Sequence, residues 1–127
     1  MEKAKRARAV SLKSLRRYCA GKPGCTEDTP FGPETLVFKV KGKIFGIVGL
    51  DESPLRLNLK CDPELAVILR NSYDAVTAGY HMNKQHWNTV TLDGSIPRPT
   101  VLALIDESYK LVVQRLSEKL RRELRRR

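Results

Sequence analysis

The sequence has too few metal-ligating and nucleophilic side chains to indicate a metal site or a catalytic site. It contains two histidines and three cysteines in 127 residues, with no CxxC or HxxxH pair. Metal sites usually need three or four ligands on a common frame, and His81 and His86 have only Cys61 near them in the sequence. The glycines form neither a GxGxxG nor a GKS/GKT phosphate loop. We therefore expect no metal, no cofactor and no enzymatic activity.

Long apolar segments are also lacking. Residues 44–50 (IFGIVGL) match a buried strand in length and fall far short of the roughly 20 residues that span a bilayer. Met1 is followed by a basic segment rather than by an apolar leader. The cysteines (Cys19, Cys25 and Cys61) are odd in number, and reduced thiols in or near the core explain them most simply. These features predict a cytoplasmic protein without membrane attachment.

Positive charge is in excess, and it is concentrated at the two ends of the chain. The net charge is +10, from 24 Lys and Arg against 14 Asp and Glu. Residues 1–17 contribute +6 and residues 115–127 contribute +5, so the long segment between them carries −1. Basic ends attract polyanions of every kind. We predict a single domain over residues 1–127, with basic helical extensions at 1–17 and 117–127.

Hydrophobic periodicity predicts a two-layer α+β domain. Apolar side chains at helical spacing predict helices over 4–20, after Pro63, and from Thr100 toward the C-terminus. The predicted strands are 36–40, 43–50 and 55–61, followed by a second hairpin of 80–81 with 87–92. The order α-β-β-β-α-β-β-α with hairpins implies an antiparallel sheet with helices on one face. Residues 21–33 are predicted to be a turn-rich loop, and the last helical turns to project beyond the sheet into solvent.

Residues 79–90 form the most distinctive segment, because they contain the only Trp, both histidines, a Lys and two Asn. In one interpretation Trp87 packs against a helix and the Asn83 side chain stabilises the turn. In the other, the hairpin is a recognition surface for a partner. The possible recognition residues are Tyr80, His81, Asn83, His86, Trp87 and Asn88.

Several short motifs appear in order over roughly residues 15–116. They are PG at 23–24 with PFG at 30–32, VFKV at 37–40, LKCDPE at 59–64, GYHMNK at 79–84, HWNTV at 86–90 and LIDESYKLV at 104–112. In these motifs the sequence resembles the MmcQ/YjbR family. The resemblance implies a fold like that of secretion chaperones, with two β-hairpins in a "double wing" and DNA binding as the usual family label. It implies no catalytic residues.

The sequence favours two functions over a third, a small-ligand pocket near His81 and Trp87, which would need a concave apolar cavity there. The first is a non-enzymatic protein that binds DNA or another nucleic acid mainly through phosphate contacts, which release counterions. The second is a protein-interaction or chaperone-like module whose basic tail adds solubility. In both cases we expect a monomer or weak dimer. The predicted nucleic-acid contacts are Lys39, Lys41, Lys43, Arg56, Lys60, Lys84, Arg121, Arg122, Arg125 and Arg126.

Overall fold

A computed structural model describes residues 9–79, 83 and 85–126, and within them the chain forms four helices and six strands. The helices are α1 (Leu12–Ala20), α2 (Pro63–Ser72), α3 (Arg98–Gln114) and α4 (Glu118–Arg125). The strands are β1 (Cys25–Asp28), β2 (Thr35–Val40), β3 (Lys43–Gly49), β4 (Arg56–Lys60), β5 (Val76–Ala78) and β6 (Trp87–Thr91). Within the same residues, no helix is long and apolar enough to cross a membrane.

The six strands form one antiparallel sheet in the order β1-β2-β3-β4-β6-β5. A two-residue turn joins β2 to β3, and its Gly42 has a φ of 80°, a conformation that glycine adopts without strain. Lys43 follows this turn at the start of β3, while Lys60 ends β4 opposite Trp87 of β6. The β2–β3 turn, the end of β4 and the start of β6 therefore lie together at one end of the sheet, which we call the hairpin end.

One face of the sheet packs against the helices and forms the core. Phe38, Phe45 and Leu57 point into this core and are fully buried, as is Ile105 of α3. The Tyr109 ring of α3 packs edge-on against Phe45, with ring centroids 5.4 Å apart. The predicted two-layer α+β class, with helices on one face of an antiparallel sheet, is confirmed.

A polar cluster joins α1 to α3 at the surface of the helix layer. The Asp106 carboxylate accepts a hydrogen bond from the Tyr18 hydroxyl at 2.6 Å and pairs with the Lys22 ammonium. Burial favours the uncharged form of Asp106, but the bonds from Lys22 and Tyr18 outweigh burial and lower its pKa. The same bond to Asp106 is the main reason that the pKa of Tyr18 rises to about 12. These contacts stabilise the charged carboxylate.

The predicted turn-rich loop over residues 21–33 is corrected in part, because it contains the edge strand β1. This strand pairs with β2, from Cys25 opposite Val40 to Asp28 opposite Val37. Its short sequence, CTED, has one β-branched residue and no aromatic residue, so it carries little of the composition that usually indicates a strand. Contacts with β2 and the ion pair between Arg16 of α1 and Glu27, at 2.8 Å, hold it in place.

The prediction that the C-terminal helix projects into solvent is wrong. The helix ends at Gln114, and a new helix, α4, begins after Ser117, whose hydroxyl accepts a hydrogen bond from the Leu120 N–H. Leu124 of α4 is buried in the core and packs on Gly24. The apolar residues after the break favour a chain that turns back onto the core, because only then can they be buried.

The second hairpin is also corrected. Its first strand is β5, at Val76–Ala78, which pairs with Asn88–Val90 of β6. Residues 80 and 81, where we predicted that strand, lie outside the described residues, as do residues 1–8 of the predicted first helix. Within the described part of the chain, that helix begins at Leu12.

Candidate nucleic-acid interface

The hydroxyl of Ser108 ends the pairing of β3 with β4 at the hairpin end. Ser108 lies on α3 and is fully buried. It donates a hydrogen bond to the Phe45 carbonyl at 2.6 Å and accepts one from the Lys60 N–H at 2.8 Å. The last paired residues of the two strands are Gly46 and Leu59. Because Ser108 satisfies the next backbone groups, the strands separate here without leaving those groups unpaired.

A groove of about 330 Å³ lies beside this separation. Cations and apolar side chains from β3, β4 and the end of α3 line what we call the cationic groove. Its lining residues are Lys43, Ile44, Lys60, Val112, Arg115 and Leu116.

The cations of the groove differ from the other predicted contacts in their ion pairing. Among the residues that the structure describes, no carboxylate forms an ion pair with Lys43, Lys60 or Arg115. Partial burial, and then repulsion from Arg115, lower the pKa of Lys60 below its ordinary value. A bound anion would offset both effects, because a nearby negative charge favours the charged form of Lys60.

Three other predicted contacts already have acidic partners. Each lies on a strand or in the β2–β3 turn, and each pair is partly exposed. The pairs are Lys39 with Asp28 at 3.2 Å, Lys41 with Glu123 at 2.9 Å, and Arg56 with Glu52 at 3.8 Å. A phosphate at these cations must compete with the carboxylate. We therefore expect these cations to bind phosphate more weakly than an unpaired cation does.

The arginines of α4 surround a single carboxylate. The distances to Glu118 are 2.9 Å from Arg121, 3.7 Å from Arg122 and 2.8 Å from Arg125. The hydrogen bond from Arg121, and then that from Arg125, lower the pKa of Glu118. Arg126 makes no ion pair with any described residue. One carboxylate cannot neutralise three guanidinium groups, so α4 keeps an excess of positive charge.

The possible recognition residues of segment 79–90 separate into different roles. Asn88 is 2% exposed; its side chain accepts a hydrogen bond from Arg70 and donates one to the Ala66 carbonyl of α2. It therefore belongs to the core, and we remove it from the candidate surface. Asn83 accepts a hydrogen bond from the Gln85 N–H at 2.9 Å, which is the expected turn-stabilising role.

Trp87 lies on the face of the sheet away from the helices, because its neighbour Asn88 points toward α2 and side chains alternate along a strand. The interpretation in which Trp87 packs against a helix is therefore wrong. His86 and Trp87 are half-buried, and Trp87 pairs with Lys60 across the strands. Tyr80, His81 and Lys84 lie outside the described residues.

The cysteines are unsuited to nucleophilic chemistry. Cys19 and Cys61 are buried and Cys25 is half-buried, and all three are free thiols. Burial raises the pKa of Cys19 to about 12 and that of Cys25 and Cys61 to about 11. These thiols are therefore protonated at neutral pH. Within the described ranges, no three His, Cys, Asp or Glu side chains are grouped so that they could hold a metal ion.

Two residues of the site were absent from the sequence prediction. Ser108 stands between Ile105 and Val112 at helical spacing, and this pattern could have identified it as a hydroxyl facing the core. Arg115 was counted only as part of the basic end. Its position in the groove depends on the break between α3 and α4, which charge alone does not reveal.

These features define a class of small α+β domain: a six-stranded antiparallel sheet with helices on one face and a cationic groove at the hairpin end. A family model described as YjbR matches residues 20–111. The chain therefore belongs to the YjbR family, which confirms the resemblance that the motifs indicated.

Relatives and solved structures agree with this assignment. The protein YjbR of Escherichia coli (strain K12) is 36% identical over 115 residues, covering 91% of this chain and 98% of that protein. YbdF of Escherichia coli O157:H7 is 38% identical over 96 residues, 76% of this chain and 79% of that protein. The names of these two relatives state no activity.

The crystal structure of Deinococcus radiodurans protein DR2400, a DUF419 domain, matches with a TM-score of 0.88 and 38% identity, over 94% of this chain and 91% of that one. A crystal structure from Pseudomonas syringae matches with a TM-score of 0.69 and 27% identity, over 80% and 97% of the two chains.

Proposed function

We propose that this protein binds nucleic acid through phosphate contacts at the hairpin end of its sheet and catalyses no reaction. The observation that supports this most directly is the cationic groove. Lys43, Lys60 and Arg115 converge there without a carboxylate partner among the described residues. Unpaired cations bind phosphates and release the counterions that surround them, which favours association entropically.

The surroundings of the groove favour the same ligand. Lys41 pairs with Glu123 of α4, so the excess positive charge of α4 lies next to the β2–β3 turn. Trp87 stands across from Lys60 on the sheet face that the helices leave uncovered. An aromatic ring beside a phosphate-binding cation is typical of sites where bases of single strands stack.

The test is a salt series of DNA-binding measurements on full-length variants. Fluorescence anisotropy with labelled duplex and single-stranded DNA gives the slope of log K against log [salt]. The groove variant combines K43Q, K60Q and R115Q. The control combines K13Q, R98Q and K110Q, which are exposed cations of the helix layer, so both variants have a net charge of +7 instead of +10. Deleting α4 is not a suitable test, because Leu124 belongs to the core.

We expect the groove variant to lower the slope on duplex DNA by about 2–3, at roughly 0.9 for each lost phosphate contact. The control should keep a slope close to that of the unmodified protein. If both variants lose binding equally, net charge rather than the groove attracts the nucleic acid. If the unmodified protein binds neither DNA at low salt, the proposal is wrong.

A protein-interaction or chaperone-like role is the alternative, and one observation favours it. Val67 and Ile68 of α2 are adjacent and 48% and 58% exposed. Exposed apolar side chains that lie together indicate contact surfaces. If this role is correct, the protein should suppress aggregation of reduced insulin in a light-scattering assay, and V67S/I68S should abolish the effect.

A further inference from the structure

The cationic groove has the size of a small-ligand site. Its volume of about 330 Å³ lies at the lower end of the roughly 300–1,000 Å³ typical of pockets for small molecules and cofactors. A groove of this size accommodates one phosphate group with an adjoining sugar or base.

The charge of the groove exceeds what one internal phosphate of a nucleic acid needs. A phosphodiester carries a single negative charge, whereas a phosphomonoester carries about −1.5 to −2 at pH 7. Lys43, Lys60 and Arg115 together carry three positive charges without an ion-pair partner among the described residues. The more highly charged anion therefore matches the groove better.

Backbone contacts fix the main chain at two of the residues that carry these cations. Lys60 is fixed by its N–H bond to Ser108 and by its pairing with Trp87. Arg115 caps α3, with its own N–H bonded to the Val112 carbonyl at 3.1 Å. The guanidinium of an arginine can donate two parallel hydrogen bonds to phosphate oxygens. Val112 and Leu116 with Ile44 supply an apolar wall, against which a ribose or base can pack.

We propose that the cationic groove binds a terminal phosphomonoester of a nucleotide, with Lys60 and Arg115 as its principal ligands. The inference rests on the proposed function where the phosphomonoester ends a nucleic-acid strand. The same chemical group is present in a free nucleoside monophosphate, so the two sources must be separated by experiment.

The first arm compares two single-stranded oligonucleotides of one sequence, both labelled at the 3′ end, with either a 5′-phosphate or a 5′-hydroxyl. We expect the phosphorylated strand to bind the full-length protein about tenfold tighter or more, as charge-assisted hydrogen bonds allow. K60Q and R115Q should each remove this preference, so that each variant binds the phosphorylated and the hydroxyl strand with equal affinity. K39Q is the control, because Lys39 is paired with Asp28 and lies outside the groove.

The second arm measures AMP and adenosine by calorimetry with the same proteins, and separate unfolding curves verify that each variant is folded. Equal binding of the two strands, without binding of AMP, overturns this inference and leaves the proposed function standing. Binding of AMP that depends on Lys60 and Arg115, without binding of either strand, supports the groove and overturns the proposed function. Binding of neither AMP nor any strand overturns both.

Discussion

Removal of the Ser108 hydroxyl should destabilise the fold far more than its size suggests. In S108A the Phe45 carbonyl and the Lys60 N–H both lose their partner, since Ser108 bonds to each of them. A buried polar group left unpaired costs about 1–3 kcal/mol. The bond to Phe45 is buried and the bond to Lys60 partly so. We therefore expect a loss of about 2–4 kcal/mol, a large fraction of the 5–15 kcal/mol typical of a domain.

Urea unfolding provides the measurement, with the fluorescence of the single tryptophan, Trp87, as the probe. S72A is the matched control, because Ser72 bonds to a carbonyl of its own helix, Ile68, at an exposed position. The control should change the free energy of unfolding by less than about 0.5 kcal/mol. A result for S108A as small as that for S72A would refute the bridging role of Ser108.

Three further changes test other parts of the structure. N88A should lower the free energy of unfolding in urea by about 2–3 kcal/mol, because one buried and one partly buried hydrogen bond to α2 disappear. A loss below about 0.5 kcal/mol would return Asn88 to the candidate surface. G24A should lower the free energy of unfolding by about 1 kcal/mol more than G42A does. Both positions have positive φ, but only at Gly24 would a Cβ meet a buried leucine of α4, at 2.5 Å. Equal losses in the two variants would contradict that packing. D106N should lose less than about 1 kcal/mol at pH 7. The bond to Lys22 lowers the pKa of Asp106. The difference in free energy of unfolding between D106N and the unmodified protein should therefore reach its full size above pH ~4 and vanish below the lowered pKa. Urea curves in acid that kept the difference would contradict this role of the bond.

The sheet and helix layers of the fold could be predicted from the sequence, because a local sequence pattern indicates their strands and helices. Alternation over residues 55–61 matched β4, and Asp62 before Pro63 marked the start of α2, where its carboxylate accepts hydrogen bonds from the Glu64 and Leu65 N–H groups. Patterns of this kind depend on near neighbours in the chain.

The remaining elements depend on partners that are distant in sequence. Strand β1 forms because β2 offers a free edge, and α4 turns back because Leu124 finds the core beside Gly24. For the same reason the sequence could identify Lys43 and Lys60 as candidates but could not show that Arg115 joins them. Nor could it show that Lys41 is paired with Glu123, 82 residues away.

The most direct test of the proposed interface is a residue-by-residue NMR titration of the ¹⁵N-labelled full-length protein with single-stranded DNA. We predict the largest shift changes at the amides of Lys43, Lys60 and Arg115, with changes decreasing along β3 and β4 and none at Val67 and Ile68 of α2. Changes centred on α2, or a spectrum unaffected by DNA at low salt, would contradict nucleic-acid binding at the hairpin end.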